Sequence, residues 1–354
     1  MRTIFSPYRI CPIGAHVDHQ GGAVLGRTIG IGTTLEYEPT DSSEIYITSD
    51  HFGEAGFSTG SLDTNHWARY AQAAARVLHA SCGMRARVRG AFIGSGLSSS
   101  ASVGLAYLKA FAEVNGIDIS KQDLVRLDYE LERGELGLQN GLLDPLTIVH
   151  GRKDALLLMD TIRAAVTPIP DPSPPHFAWI VAYSGVSREL TKSGFNVRVE
   201  ESRQAAAILL DGAQILSDVP HEIFEERKRA LPETLRKRAE HYFTEVERVH
   251  RGAQAWMNAD LELFGLLMNR SCSSSINNYE SGSDILIELH ELVSSTNGIH
   301  GSRFSGGGYG GCVVALAQAN LVEEACQVIL ERFSALHPEL PSQVQVVETG
   351  DGLQ

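Results

Sequence analysis

The sequence predicts an α+β architecture divided into two domains. Stretches with strand and helix patterning are mixed along the chain but do not alternate strictly, which argues against a doubly wound parallel sheet. The 354 residues exceed what one ordinary core organises. Residues 167–175, TPIPDPSPP, hold five of the 13 prolines. Proline removes a backbone donor and pushes its predecessor out of the helical region. This stretch therefore reads as an extended linker, and it divides residues 1–170 from residues 171–354.

The elements follow in order. Residues 35–37 and 45–48 have strand character on either side of the turn residues Asp41, Ser42 and Ser43. Apolar residues at 67, 70, 71, 74, 77 and 78 form a helical stripe over 67–79. Leu105, Leu108, Phe111 and Ala112 repeat the pattern over 103–114. Residues 121–133 form a third helix with Ser120 as its N-cap. Residues 87–93, 155–159 and 177–183 read as strands. Residues 198–252 are mostly helical, broken at Val219-Pro220 and Leu231-Pro232. Helices over 261–269, 285–294 and 322–333 and strands over 312–317 and 344–347 complete the chain.

Composition excludes several function classes. Hydrophobic residues make up 43% and charged residues 21%, as in ordinary globular proteins. A net charge of -13 argues against broad binding to nucleic acid or to an anionic membrane. No apolar run reaches the roughly 18 residues of a membrane span. The first 30 residues carry no apolar core of a secretory signal, so a cytoplasmic location is expected. Cys11, Cys82, Cys272, Cys312 and Cys326 are odd in number and widely spread, which predicts reduced thiols and neither disulfides nor a zinc site. No interface is readable, and a monomer or weak homodimer is expected.

The chemistry concentrates in three loops. Gly94-Ser95-Gly96-Leu97-Ser98-Ser99-Ser100-Ala101 lies between a strand-like stretch and a helix. Glycines let amides turn toward an anion, and a helix N-terminus adds unpaired N–H groups and the positive end of its dipole. The loop lacks the G-K-[ST] of a P-loop and the G-x-G-x-x-G of a dinucleotide fold. A second glycine cluster, residues 301–312, reads GSRFSGGGYGGC. A third, polar stretch over residues 9–22, RICPIGAHVDHQGG, holds an arginine, two histidines and an aspartate.

Taken together, these loops resemble the three motifs of the GHMP kinase superfamily, and within it those of the galactokinase-like sugar kinases. Residues 8–22 resemble the first motif, residues 94–101 match the second (G-x-G-L-S-S-S-A), and residues 301–312 resemble the third. Weaker similarity fills the gaps at Trp67 and Tyr70, at 141–144, at 195–198 and at 278–280. The resemblance implies an N-terminal domain like domain 2 of ribosomal protein S5, a ferredoxin-like C-terminal domain, and a site in the cleft between them. It also implies transfer of the ATP γ-phosphoryl group to a sugar hydroxyl, with Mg²⁺.

By this resemblance Asp144 is the catalytic aspartate and Arg9 the cation beside it. Glu132, 12 residues earlier, and Ser99 take the metal. Gly94, Gly96, Leu97, Ser98, Ser99, Ser100 and Ala101 form the nucleotide loop, and Trp67 lies near the adenine. Ala15, His16, Asp18, His19, Gly141 and Phe195 line the sugar.

The departures point to the substrate. The family carries a Glu at the Ala15 position, facing the sugar's C6. A Glu would repel a C6 carboxylate by about 4 kcal/mol at about 4 Å in a medium of effective ε about 20. Ala15 removes that penalty, and Tyr8 and His19 are further features that resemble the plant-type galacturonokinases. The expected substrate is D-galacturonate, with galactokinase and L-arabinokinase activity as alternatives. A non-catalytic sensor of sugar and ATP is an alternative of another class. Pro145 and Phe195 also depart from the family, where Gln and Tyr are usual.

Overall fold

The structure, a computed structural model, describes residues 1–90, 96–173, 175–186 and 194–354. The N-terminal half contains β1 (Arg2–Ile13), β2 (Val24–Pro39), β3 (Glu44–Ser49), β4 (Gly53–Ser58), α1 (Arg69–Val77), β5 (Met84–Gly90), α2 (Ser99–Val114), α3 (Lys121–Glu130), α4 (Leu143–His150), β6 (Ala155–Asp160) and β7 (Ala165–Pro170). The C-terminal half contains β8 (Phe177–Tyr183), α5 (Phe195–Leu209), α6 (His221–Arg227), α7 (Glu233–Met257), α8 (Leu261–Asn277), α9 (Asp284–Ser294), β9 (Ile299–Phe304), β10 (Cys312–Gln318), α10 (Val322–Leu336) and β11 (Gln343–Val347).

A seven-stranded sheet runs β4-β3-β5-β2-β6-β7, with β1 also paired to β2. The turn at residues 41–43 joins β2 to β3, yet the two strands are not neighbours. β5 inserts between them, parallel to β3 and antiparallel to β2. The C-terminal sheet is four-stranded and antiparallel in the order β11-β8-β10-β9. Its strands follow the β-α-β-β-α-β succession of a ferredoxin-like fold, with extra helices after β8.

Three sequence expectations are corrected. The proline-rich linker begins as a strand: β7 pairs with β6 along its whole length at the sheet edge, where prolines are tolerated. Arg9 lies in β1 and not in a loop. Pro7 and Pro12 hide that strand in the sequence, and register shifts between Pro7 and Tyr8 and between Ile10 and Ile13 accommodate them. The third helix ends at Glu130 and continues as a π-helical turn over Leu131–Glu135, its start fixed as expected by the Ser120 cap. The strand expected over 87–93 is β5; residues 91–93 lie outside the described residues.

The cores cross the division at residue 170. Ile4, Leu35 and Tyr37 of the large sheet pack with α1–α3 and with Ala205, Leu209 and Ala239 of the C-terminal helices. Tyr8, Ile10, Ile13 and Leu25 pack instead with Trp179, Trp256 and Phe264. Buried Arg27 of β2 ion-pairs with Asp171 and lies 5.7–6.0 Å from the ring centroids of Phe177, Trp179 and Trp256. The chain end also returns to the N-terminal half, where Leu353 N donates to Ile148 O and Gln354 N to Phe5 O. None of the five cysteines forms a disulfide. Among the described residues no helix is long and apolar enough to cross a membrane.

Candidate active site

A cavity of about 490 Å³ opens between the two halves. It is the meeting point of all three loops singled out in the sequence. Arg9 and Ala15–Asp18 come from the first, Gly96 and Ser98–Ser100 from the second, and residues 306–310 from the third.

At its centre Arg9 Nε donates to Asp144 Oδ1 at 2.7 Å. The remaining guanidinium is spread over Gly96 O at 3.0 Å and Ser305 Oγ at 3.1 Å, so one arginine ties the second loop to the third. Ser98 donates to the other oxygen of Asp144. Asp144 stands in the first turn of α4, where the helix dipole favours a carboxylate.

The loop backbones are held close. Gly96 has φ of +77° and Gly306 of +73°, and a Cβ on Gly306 would lie 2.9 Å from Gly96 O. Two non-glycine residues of the site, His16 and Ser98, are also left-handed, at φ of 65° and 60°. Such strain of about 1–3 kcal/mol per residue concentrates at functional sites.

Asp18 lies beside the start of α4 and accepts from Leu143 N, next to Asp144, at 3.1 Å. Burial, and secondarily the charge of Asp144, pushes its carboxyl up to about 6. Gly141 leaves room for it, since a Cβ there would sit 2.3 Å from Asp18 Oδ2. Ala15 is 3% exposed on the cavity wall, and its carbonyl accepts from His241 Nε2 at 3.0 Å. His16 stacks on Tyr279 with centroids 4.3 Å apart. Burial keeps His16 neutral, far below the usual imidazole range.

At the other end, Trp67 lines the cavity and stacks on Phe52 at 5.7 Å. Ser99 and Ser100 stand at the N-terminus of α2 and line the wall between the two ends. Glu132 is buried behind them. Its Oε2 accepts from Asn140 Nδ2 at 2.7 Å, and its Oε1 has no hydrogen-bond partner among the described residues. Burial, and secondarily Asp144, pushes this carboxyl up to about 7.

Most of the expected site residues therefore converge, but not all reach the cavity. Leu97 and Ala101 turn into the cores and shape the loop from behind. His19 faces away, with Nε2 on Tyr279 Oη at 3.0 Å. Phe195 lines the cavity at the start of α5. Gly94 lies outside the described residues. Sequence reasoning gave no role to Ser305 or Tyr279, although both lie in stretches that resemble the family, and did not single out Asn140, Phe52 or Asp128. Ser305 and Tyr279 carried a usable signal in those motif stretches, whereas Asp128, a polar residue on an amphipathic helix, carried none.

Family comparison agrees with this geometry. The GHMP kinases N terminal domain family matches residues 66–152, and the GHMP kinases C terminal family matches residues 253–335. The chain belongs to the GHMP kinases. Within them its relatives are sugar kinases. It is 35% identical to a galacturonokinase of Arabidopsis thaliana over 99% of this chain and 92% of that protein. It is 32% identical to a galactokinase of Roseiflexus sp. (strain RS-1) over 90% and 84% of the two chains. The crystal structure of Lactococcus lactis galactokinase complexed with galactose superposes with a TM-score of 0.92 at 27% identity, over 99% of this chain and 94% of that one. The chain is accordingly placed among the galactokinase-like sugar 1-kinases of the GHMP family.

Proposed function

We propose that this kinase transfers the γ-phosphoryl group of ATP to the anomeric hydroxyl of D-galacturonate. The observation that carries the substrate choice is Ala15. It is a methyl group on the cavity wall beside His16 and Asp18, so no anion of its own faces a C6 carboxylate. The likeness to the Arabidopsis galacturonokinase supports the same reading.

Phosphoryl transfer needs placement and charge neutralisation more than covalent chemistry. Asp144 orients the anomeric hydroxyl and accepts its proton. Arg9, 2.7 Å away, holds that carboxylate in place and offsets negative charge building on the transferring group. Asp18 accepts hydrogen bonds from ring hydroxyls. Ser100 and the α2 N-terminus hold phosphate oxygens, the Ser98 hydroxyl is committed to Asp144 instead, and Trp67 and Phe52 cover the base.

Glu132 Oε1, buried and without a partner among the described residues, fits a divalent cation, with the Ser99 hydroxyl of the cavity wall as a further ligand. Bound there, Mg²⁺ would neutralise phosphate charge. The deciding experiment is an ADP-release assay with galacturonate, galactose, L-arabinose and glucuronate. A clear kcat/KM preference for galacturonate is expected, and a preference for galactose would overturn the assignment. Ligand-induced stabilisation with no ADP formed would instead mark a sensor.

A further inference from the structure

We propose that Asp128 is a second carboxylate of the divalent-cation site, so that Asp128 and Glu132 receive the cation together. The inference rests on the phosphoryl-transfer reading above.

Asp128 is wholly buried on α3, and neither of its oxygens meets a hydrogen-bond donor among the described residues. Glu132 Oε1 is in the same condition. Three carboxylate oxygens are thus left without a partner in one buried patch. A buried carboxylate without donor or cation is among the costliest arrangements a protein can keep, and a native structure retains it for a reason. Arg9, the nearby arginine, is already engaged by Asp144, Gly96 and Ser305.

The surroundings set Asp128 beside α2, the helix that the nucleotide loop opens. Asp128 and Glu132 are four residues apart and share one side of the helix, with the π-helical turn beginning at Leu131 between them. π-turns inside helices frequently mark functional sites. Gly104 of α2 leaves room for Asp128, since a Cβ there would lie 2.9 Å from its Oδ1. Tyr70, which lines the cavity, bonds Ser100 and lies within the field of both carboxylates.

The chemistry that fits is a small, hard cation. Mg²⁺ is commonly held by one or two carboxylates, its remaining positions filled by water and substrate phosphate. Glu132 bonds Asn140 of the cavity wall and Asp128 packs against Gly104, so Asp128 reaches the cation directly or through a water that it holds. The competing account is that the two carboxylates share a proton and Asp128 never meets a metal.

Mn²⁺ is the probe. It is titrated into wild-type protein, Asp128→Asn and Glu132→Gln, without nucleotide and with ADP, and free Mn²⁺ is read by electron paramagnetic resonance. Thermal unfolding is followed in EDTA and in Mn²⁺. Asp128→Asn is expected to weaken Mn²⁺ binding at least tenfold, as Glu132→Gln does, and to reduce the rise in Tm that Mn²⁺ produces. Its Tm in EDTA should equal or exceed that of wild type, because a like-charge contact is relieved. Unchanged Mn²⁺ affinity in Asp128→Asn overturns the proposal. Should the amide not fold, Asp128→Ser takes its place, and failure of both assigns Asp128 a purely structural role. Asp128-dependent Mn²⁺ binding in a protein that phosphorylates no sugar would sink the kinase reading and leave this one standing.

Discussion

Arg9 and Asp144 meet at 2.7 Å although 135 positions separate them, one on a strand and the other in the first turn of a helix. Because the pair is nearly closed to solvent on the arginine side, its charges are weakly screened. Asp144→Asn removes the proton acceptor but keeps the shape. The expected result is a kcat lower by roughly 10²–10⁴-fold with sugar binding largely retained. Steady-state kinetics together with calorimetric titration of galacturonate would check both halves of this statement.

Ala15→Glu tests the substrate assignment. The new carboxylate should cut kcat/KM for galacturonate by about 10³-fold, from roughly 4 kcal/mol of repulsion at about 4 Å. Galactose, which carries a hydroxyl at C6, should lose little or gain. Equal losses for both sugars would mean that Ala15 does not face C6.

Asp18 sets the acid limb of the pH profile. Its carboxyl titrates near 6 because burial and Asp144 disfavour its charged form. Protonated, it accepts hydrogen bonds from the sugar hydroxyls less well. The value of kcat/KM for sugar should therefore fall below about pH 6. For stability the sign is opposite to that of a paired surface carboxylate. A carboxyl raised in the folded state binds its proton more tightly than in the unfolded chain. Its contribution is present at pH below the unfolded value and is lost as pH rises through about 6. Asp18→Asn should flatten this part of the stability curve measured in urea.

Gly141→Ala should displace Asp18, because the added methyl would lie 2.3 Å from its carboxylate. KM for sugar should rise while KM for ATP stays nearly constant. A parallel rise in both would locate the damage in the fold and not at the sugar.

Arg27 is a test of how the halves are joined. Its guanidinium is buried among three aromatic rings and paired with Asp171. Asp171→Ala leaves that charge unpaired and should destabilise the protein by about 3 kcal/mol, somewhat less where solvent reaches the pair. Arg27→Met combined with Asp171→Ala should recover part of the loss in urea unfolding.

The sequence made the helices legible because their periods are regular and their caps local. Ser120, for example, accepts from Asp123 N as its position implies. The motif loops were legible because backbone demands select glycine and serine at fixed spacing. β1 was not, because Pro7 and Pro12 read as breakers, whereas here they sit beside register shifts. Asp128 was hidden for another reason. A polar residue in an amphipathic helix reads as solvent-facing, and only the packing of Gly104 against it reveals that it is buried. The stack of His16 on Tyr279 joins residues 263 positions apart, which no local pattern can announce.

β1 carries one further consequence. It contributes side chains to two cores, one on the helical side of the large sheet and one reaching the C-terminal tryptophans. The returning chain end is sewn onto the same strand at Phe5. A cleft whose walls share their interior in this way cannot swing on a hinge without tearing buried surface. Product release is then expected to depend on adjustments at the rim, with the arginine at the centre of the cleft held by the strand that both cores share.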